Sequence, residues 1–265
     1  MRIRKVGGAA LNRKGKGVYL LPNLFTTASL FSGFYAIVAA IKGNYQTAAW
    51  AILVASVFDG LDGRIARMTG TTSKFGMEYD SLSDLVAFGV APGILAFLWS
   101  LDGFGRLGWL AAFLYVATTA LRLARFNAIS ASAGSSSYFL GLPCPAAAAG
   151  VSCTVLIFHF FGIAGPVKHY AVLLLVYGLS FLMVSNVRFN SFKNVKWFNR
   201  HPFSAMVGCV LAIVVLAIEP SVTLFAVIFI YIFSGPVGLL LKFVARRRKN
   251  GEENAAEAED TVKQR

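Results

Sequence analysis

The sequence predicts an all-α protein that crosses a membrane with about eight helices. Of its 265 residues, 57% are hydrophobic and 14% are charged, a balance outside that of ordinary soluble domains. The apolar residues are gathered into eight runs with polar segments between them. Helices suit such runs, because a helix satisfies its backbone polar groups within the bilayer. We therefore expect a polytopic integral membrane protein.

The eight runs follow one another along most of the chain. They are residues 24–41, 48–58, 85–99, 107–121, 138–163, 170–187, 203–218 and 222–244. The second and third runs are shorter than the roughly 20 residues that a spanning helix needs. Both reach that length if their helices continue into residues 59–84, the polar stretch between them. We therefore predict that this stretch forms the cytoplasmic ends of two helices and lines a polar cavity that opens towards lipid.

Charge predicts the domain organisation and the topology. A basic leader occupies residues 1–20, the membrane domain residues 21–245, and a basic then acidic, disordered tail residues 246–265. The net charge of +13 would suggest nucleic acid in a soluble protein. In a membrane protein it indicates cytoplasmic loops and anionic lipid headgroups, so no nucleic-acid partner is expected.

Eight spans and a cytoplasmic N-terminus leave Lys42, Arg106 and Lys168 on the outer side. The other 22 of the 25 Lys and Arg residues then lie on the inner side, as the positive-inside rule requires. We expect a protein of the cytoplasmic membrane, with residues 59–84 on the cytoplasmic side.

Residues 59–84 carry an unusual cluster of carboxylates for a membrane protein. The four aspartates are Asp59, Asp62, Asp80 and Asp84. A charged Asp near the bilayer centre costs roughly 2.5 to 3.5 kcal/mol, so such a cluster persists when it is paired, hydrated or bound to a cation. Spacings of three and four residues put each pair on one helical face. With no Cys or His in the stretch, the oxygen ligands favour Mg²⁺ or Mn²⁺ over zinc or copper.

Small and basic residues accompany the aspartates. Gly60, Gly63 and Ala66 remove side-chain bulk beside the carboxylates, as expected where a ligand or another backbone comes close. Arg64 and Arg67 lie one turn apart and supply donors suited to phosphate. The stretch therefore predicts a site for a metal together with a phosphate-bearing ligand.

The stretch reads D-x-x-D-G-x-x-A-R, eight further residues, then G-x-x-x-D-x-x-x-D. This pattern resembles the signature of the CDP-alcohol phosphatidyltransferase family, and all eight fixed positions match. The resemblance implies an enzyme that moves the phosphatidyl group of CDP-diacylglycerol to an alcohol and releases CMP. It also implies that Asp59, Asp62 and Asp80 bind a pair of metal ions. Asp84 would be the general base and would also border the metals.

The same resemblance implies contacts to the CDP-linked lipid. Gly63 and Arg67 belong to the signature itself. Asn23 and Thr26 stand in a P-N-x-x-T element at the start of the first run, where family members line the CDP site. Ser73 stands where related enzymes have a residue that contacts the CDP-lipid.

Two further elements bear on the acceptor alcohol. A-R-F-N at residues 124–127 and F-x-G-L-P-x-P at residues 139–145 resemble the serine-using branch of the family. They imply L-serine as acceptor, with Arg122, Arg125 and Asn127 in its binding, since arginine is well suited to a carboxylate. The family resemblance also implies a homodimer.

Two alternatives stay open at this point. A sister enzyme would use the same donor with glycerol 3-phosphate, inositol phosphate or choline, and arginines would suit those phosphates too. A cation transporter would use the aspartates without group transfer, although the spacing of Gly63, Ala66 and Arg67 favours the enzyme. Release of CMP from CDP-diacylglycerol separates these two classes.

Overall fold

A computed structural model describes residues 20–70, 73–132, 138–163, 165–190 and 202–239. The predicted basic leader, apart from Leu20, and the predicted tail at 246–265 lie outside these ranges. The boundaries expected for the membrane domain, 21 and 245, therefore stay predictions.

Eight helical segments and one pair of short strands make up the described part of the chain. The helices are α1 (Leu20–Ile41), α2 (Tyr45–Thr69), α3 (Lys74–Phe104), α4 (Arg106–Ser132), α5 (Cys144–Phe160), α6 (Tyr170–Val184), α7 (Pro202–Ile218) and α8 (Pro220–Leu239). The strands β1 (Tyr138–Leu140) and β2 (Arg188–Asn190) pair antiparallel, with Phe139 opposite Phe189. Among the described residues, α1, α3, α4 and α8 each contain a stretch long and apolar enough to cross a membrane. The structure thus confirms a helical, polytopic membrane protein.

The two short apolar runs do continue through the aspartate stretch. Residues 48–58 lie within α2, which has 25 residues, and residues 85–99 lie within α3, which has 31. Helix α2 ends at Gly70, whose left-handed backbone (φ 63°) lets its N–H donate to the Ala66 carbonyl. Ser73 caps the start of helix α3, because its Oγ accepts from the Gly76 N–H at 3.0 Å. The prediction that both helices extend into this stretch is confirmed.

Helix α3 changes its winding immediately after the second aspartate pair. It is α-helical over Lys74–Asp84 and π-helical over Leu85–Val90. It returns to α over Ala91–Ala96, then ends in a π segment (Phe97–Leu101) and a 3₁₀ turn (Asp102–Phe104). π-helical turns are rare and often occur beside functional sites. Here the first one separates the aspartate-bearing turns from the apolar part of the helix.

The segment before α5 differs from the prediction. We expected the fifth apolar run to open at Tyr138, but residues 138–140 form β1 and the helix begins at Cys144. Gly141 has φ of 78°, a conformation that interrupts a helix. Its N–H donates to the Val187 carbonyl at 2.9 Å, and the Leu142 N–H donates to the Leu182 carbonyl at 3.0 Å. These bonds hold the segment against the end of α6. Helix α4 also runs further than predicted, to Ser132.

Small residues bring the other helices close to α3. A Cβ added at Gly33 of α1 would lie 2.6 Å from the Ala87 Cα, and one added at Gly89 would lie 3.1 Å from the Thr119 Cγ2 of α4. Close approach of this kind is how helices associate in lipid, where the hydrophobic effect between helices is absent. Helix α3 is therefore packed between α1 and α4, which limits where its aspartates can lie.

Candidate functional site

The aspartates of α2 and α3 converge where the two helices meet. Carboxylate oxygens of Asp59, Asp62 and Asp80 all lie within 4.8 Å of one another. Asp84 lies against Asp59, and the charges of the other three aspartates act on it. The structure therefore brings together all four aspartates that the sequence singled out.

Three of these carboxylates suit a divalent cation. Ligand oxygens on opposite sides of an ion bound at about 2.1 Å are about 4.2 Å apart, so separations of up to 4.8 Å fit with a small adjustment. The charges that act on Asp80 are those of Asp62 and Asp59, and like charges at this range repel. Bound cations relieve that repulsion, and oxygen-only ligands favour a hard ion.

Thr26 connects helix α1 to the cluster. Its Oγ1 donates to the Oδ2 of Asp62 at 2.8 Å, and both residues are 5% exposed. The Thr26 carbonyl in turn accepts from the Ser83 Oγ of α3 at 3.0 Å. Thr26 thus contacts both aspartate-bearing helices and orients one of the carboxylates.

A cleft of about 220 Å³ opens beside Asp62 and Asp80. Its lining comes from the start of α1, the end of α2 and the start of α3. The lining residues are Pro22, Asn23, Thr26, Asp62, Gly63, Ala66, Arg67, Ser73, Gly76, Met77 and Asp80. All five residues predicted to contact the CDP-linked lipid are among them: Asn23, Thr26, Gly63, Arg67 and Ser73. The structure places these residues around one space next to the carboxylates.

Two positions of the signature, 63 and 76, are glycine for different structural reasons. A Cβ added at Gly63 would meet no atom within 4 Å, so this glycine leaves its side of the cleft open. A Cβ added at Gly76 would lie 3.1 Å from the Ser73 Oγ and 3.5 Å from the Asn23 Oδ1. Gly76 therefore allows α1 and the first turn of α3 to approach each other.

Arg122 is connected to the carboxylates through Cys144. One of its terminal nitrogens donates to the Cys144 Sγ at 3.5 Å, and its Nε is buried without a hydrogen-bond partner. Cys144 is close enough to Asp84 and Asp59 to interact with them electrostatically. A buried donor without a partner is uncommon and requires an explanation, such as a ligand. Nothing in the sequence relates Cys144 to Arg122, which precedes it by 22 residues.

The other two residues predicted for the acceptor have protein partners. A terminal nitrogen of Arg125 donates to the Asn186 Oδ1 at 2.9 Å. The Asn127 Nδ2 donates to the Ser81 Oγ at 3.0 Å. Their contact with an acceptor stays a prediction. Ser81, which the sequence did not single out, directly follows Asp80.

Comparisons with known proteins agree with this geometry. A family model described as CDP-alcohol phosphatidyltransferase matches residues 19–184. A CDP-diacylglycerol–serine O-phosphatidyltransferase of Helicobacter pylori is 45% identical over 183 residues, covering 68% of this chain and 76% of the relative. One from Mycobacterium leprae is 32% identical over 86% of this chain and 77% of the relative. An archaetidylserine synthase of Methanothermobacter thermautotrophicus is 35% identical over 64% of this chain and 69% of the relative. The chain, with its paired aspartates and adjoining cleft, belongs to the CDP-alcohol phosphatidyltransferase family.

Proposed function

We propose that this protein makes phosphatidylserine by transferring the phosphatidyl group of CDP-diacylglycerol to the hydroxyl of L-serine, with release of CMP. The observation that carries the proposal is the convergence of four carboxylates beside the cleft, with Arg122 connected to them through Cys144. Serine is the acceptor in the names of the relatives from Helicobacter and Mycobacterium. The unpartnered Nε of Arg122 suits the carboxylate of that acceptor.

The donor binds in the cleft beside Asp62 and Asp80. Arg67 holds phosphate through charge-assisted hydrogen bonds, and Gly63 leaves room for the nucleotide-linked group. Asn23, Thr26 and Ser73 complete this binding surface. Asp59, Asp62, Asp80 and Asp84 would hold two Mg²⁺ or Mn²⁺ ions, which would supply positive charge to offset the negative charge of the CMP leaving group.

The acceptor binds at Arg122. The guanidinium of Arg122 grips the serine carboxylate, and Arg125 is a further candidate contact. Asn127 was predicted for the same role, but its bond to the Ser81 Oγ gives it an alternative one. Asp84 accepts the proton of the serine hydroxyl as that oxygen bonds to the phosphorus that carries diacylglycerol. The bond between this phosphorus and the oxygen of CMP breaks, and CMP leaves. Arg122 thus binds the acceptor, Asp84 takes its proton, and Arg67 binds the phosphate of the donor.

The eight described helices support eight spans. Helices α5, α6 and α7 have 17, 15 and 17 residues and would cross with the help of flanking residues. The protein would lie in the cytoplasmic membrane as a homodimer, with its active site on the cytoplasmic side. A basic leader (1–20) and a disordered tail (246–265) would flank the membrane domain (21–245).

CMP release with a panel of acceptors tests the function. Purified protein with CDP-diacylglycerol and Mg²⁺ or Mn²⁺ should release CMP when L-serine is added. Glycerol 3-phosphate, inositol 1-phosphate and choline should give background release, and a chelator should stop the reaction. Release with one of those acceptors but not with serine would show a sister enzyme. No release with any acceptor would favour cation transport.

Arg122→Ala should weaken serine binding. Loss of charged hydrogen bonds of about 1.5 to 3 kcal/mol predicts a rise in the serine KM of about 10- to 100-fold, with the KM for CDP-diacylglycerol unchanged. Arg106→Ala is the matched control, because Arg106 is an exposed arginine at the opposite end of the same helix. A normal serine KM in Arg122→Ala would contradict the acceptor assignment.

Asp84→Asn and Asp62→Asn should have different effects. Asp84→Asn removes the proton acceptor, so turnover should fall about 10²- to 10⁴-fold while binding of CDP-diacylglycerol stays measurable. Asp62→Asn should weaken both metal activation and donor binding, since Asp62 belongs to the tight set of oxygens and lines the cleft. Near-normal turnover of Asp84→Asn at saturating metal would refute its role as base.

Cysteine labelling tests the topology. A membrane-impermeant maleimide added to intact cells should label Lys168→Cys, and should label Lys74→Cys and Lys249→Cys once the cells are opened. The unsubstituted protein measures the background from the three native cysteines. Labelling of positions 74 and 249 on opposite faces would rule out the eight-span arrangement.

A further inference from the structure

The turns of α3 that carry Asp80 and Asp84 have little apolar packing. Within Lys74–Asp84, Ser83 is buried and its neighbours in the helix are at least partly exposed. Phe75, Met77 and Leu82 are 69%, 53% and 65% exposed. Side-chain hydrogen bonds to neighbouring helices therefore have a large share in holding this part of α3.

Two of these hydrogen bonds connect α3 to α1. The hydroxyls of Tyr79 and Thr27 lie 2.9 Å apart, and the Ser83 Oγ donates to the Thr26 carbonyl at 3.0 Å. Both bonds attach the aspartate-bearing turns to the helix at one flank of the cleft. A helix attached along one flank can still rotate about that attachment.

A third connection joins α3 to α4. The Asn127 Nδ2 donates to the Ser81 Oγ at 3.0 Å, and the Ser81 Oγ lies 3.3 Å from the Asn127 Oδ1. Both side chains are partly buried. Ser81 directly follows Asp80 and precedes Asp84 by three residues, so this pair, the Ser81–Asn127 latch, attaches α3 beside both carboxylates.

We propose that the Ser81–Asn127 latch positions Asp80 and Asp84, and that Asn127 acts through Ser81. The proposal rests on the function proposed above. Repulsion from Asp59 and Asp62 pushes on this part of α3, and the π-helical turn that starts at Leu85 separates it from the tightly packed part of the helix. Attachment on the α4 side opposes the rotation that this repulsion favours. A metal site tolerates only about 0.5 Å of error in its ligands.

The latch also relates Arg122 to the carboxylates. Arg122 lies on α4, five residues before Asn127, so one helix carries both the proposed acceptor contact and the attachment of the carboxylates. Displacement of α4 would therefore alter the separation between Arg122 and Asp84. This gives Asn127 a role that needs no contact with serine.

Metal activation of three full-length variants tests the proposal. Ser81→Ala, Asn127→Ala and the double variant should each bind Mn²⁺ about 10- to 100-fold more weakly in a titration without substrate, and should need correspondingly more Mn²⁺ for half-maximal activity, as expected when the support of metal ligands is lost. The serine KM should not change. Because both single changes break the same contact, the double variant should resemble either of them.

Two further variants separate positioning from general damage. Ser81→Thr keeps the hydroxyl and should retain metal activation close to that of the unsubstituted protein. Ser234→Ala is the matched control, because Ser234 is exposed and donates to the carbonyl of Tyr231 in its own helix. If Asn127→Ala fails to fold, the comparison of Ser81→Ala with Ser81→Thr still decides the proposal.

Other outcomes would overturn the latch. A raised serine KM in Asn127→Ala with normal metal activation would make Asn127 an acceptor contact. If the loss of metal activation in the double variant is the product of the two single losses, the two residues act separately. If Ser81→Ala and Ser81→Thr lose metal activation equally, the hydroxyl of Ser81 is not responsible. The variants are compared with the unsubstituted protein using whichever acceptor supports its CMP release. Failure of serine as acceptor is therefore distinguishable from failure of the latch.

Discussion

Repulsion among four carboxylates at the junction of α2 and α3 is the constraint on which the rest of this structure depends. Three of them have oxygens within 4.8 Å of one another, in a chain whose neighbouring segments are apolar. Water would screen such charges at the surface of a soluble protein. Between apolar helices, the surrounding side chains must hold the aspartates in place and cations must compensate their charge.

The packing of α3 meets this constraint at two levels. In its apolar part, Ala87 packs against Gly33 of α1 and Gly89 against Thr119 of α4, so van der Waals contact fixes the helix. In its polar part, hydrogen bonds of Tyr79 and Ser83 to α1 and of Ser81 to α4 hold the helix instead. The π-helical turn at Leu85–Val90 lies at the boundary between these two ways of holding the helix.

Much of the cleft beside the aspartates was predictable from the sequence, because its residues stand in short motifs that are close together in the chain. The short runs at 48–58 and 85–99 could span only as parts of longer helices, and the spacing of the aspartates placed each pair on one face. The five residues expected around the CDP-linked lipid came from short motifs, and the structure places all five around one cleft. Their individual roles still await experiment.

Features that depend on distant contacts were not predictable. Ser81 and Asn127 are 46 residues apart, and Cys144 meets Arg122 across 22 residues, so no local pattern reveals either pair. The segment at 138–143 is apolar and ends in Pro143, a residue suited to a helix start. It turned out to be extended, because Gly141 adopts a positive φ and its neighbours bond to the end of α6.

The order of the cleft-lining residues along the chain has a consequence for biosynthesis. The lining begins at Pro22 and ends at Asp80, so it comes from three consecutive helices with short connections. Contacts that are near in sequence form early and quickly, and domains emerge from the ribosome N-terminal part first. The cleft can therefore take shape while α5 to α8 are still being synthesised. The contact between Arg122 and Cys144 waits for α4 and the start of α5, so the growing chain builds the cleft before it builds that contact.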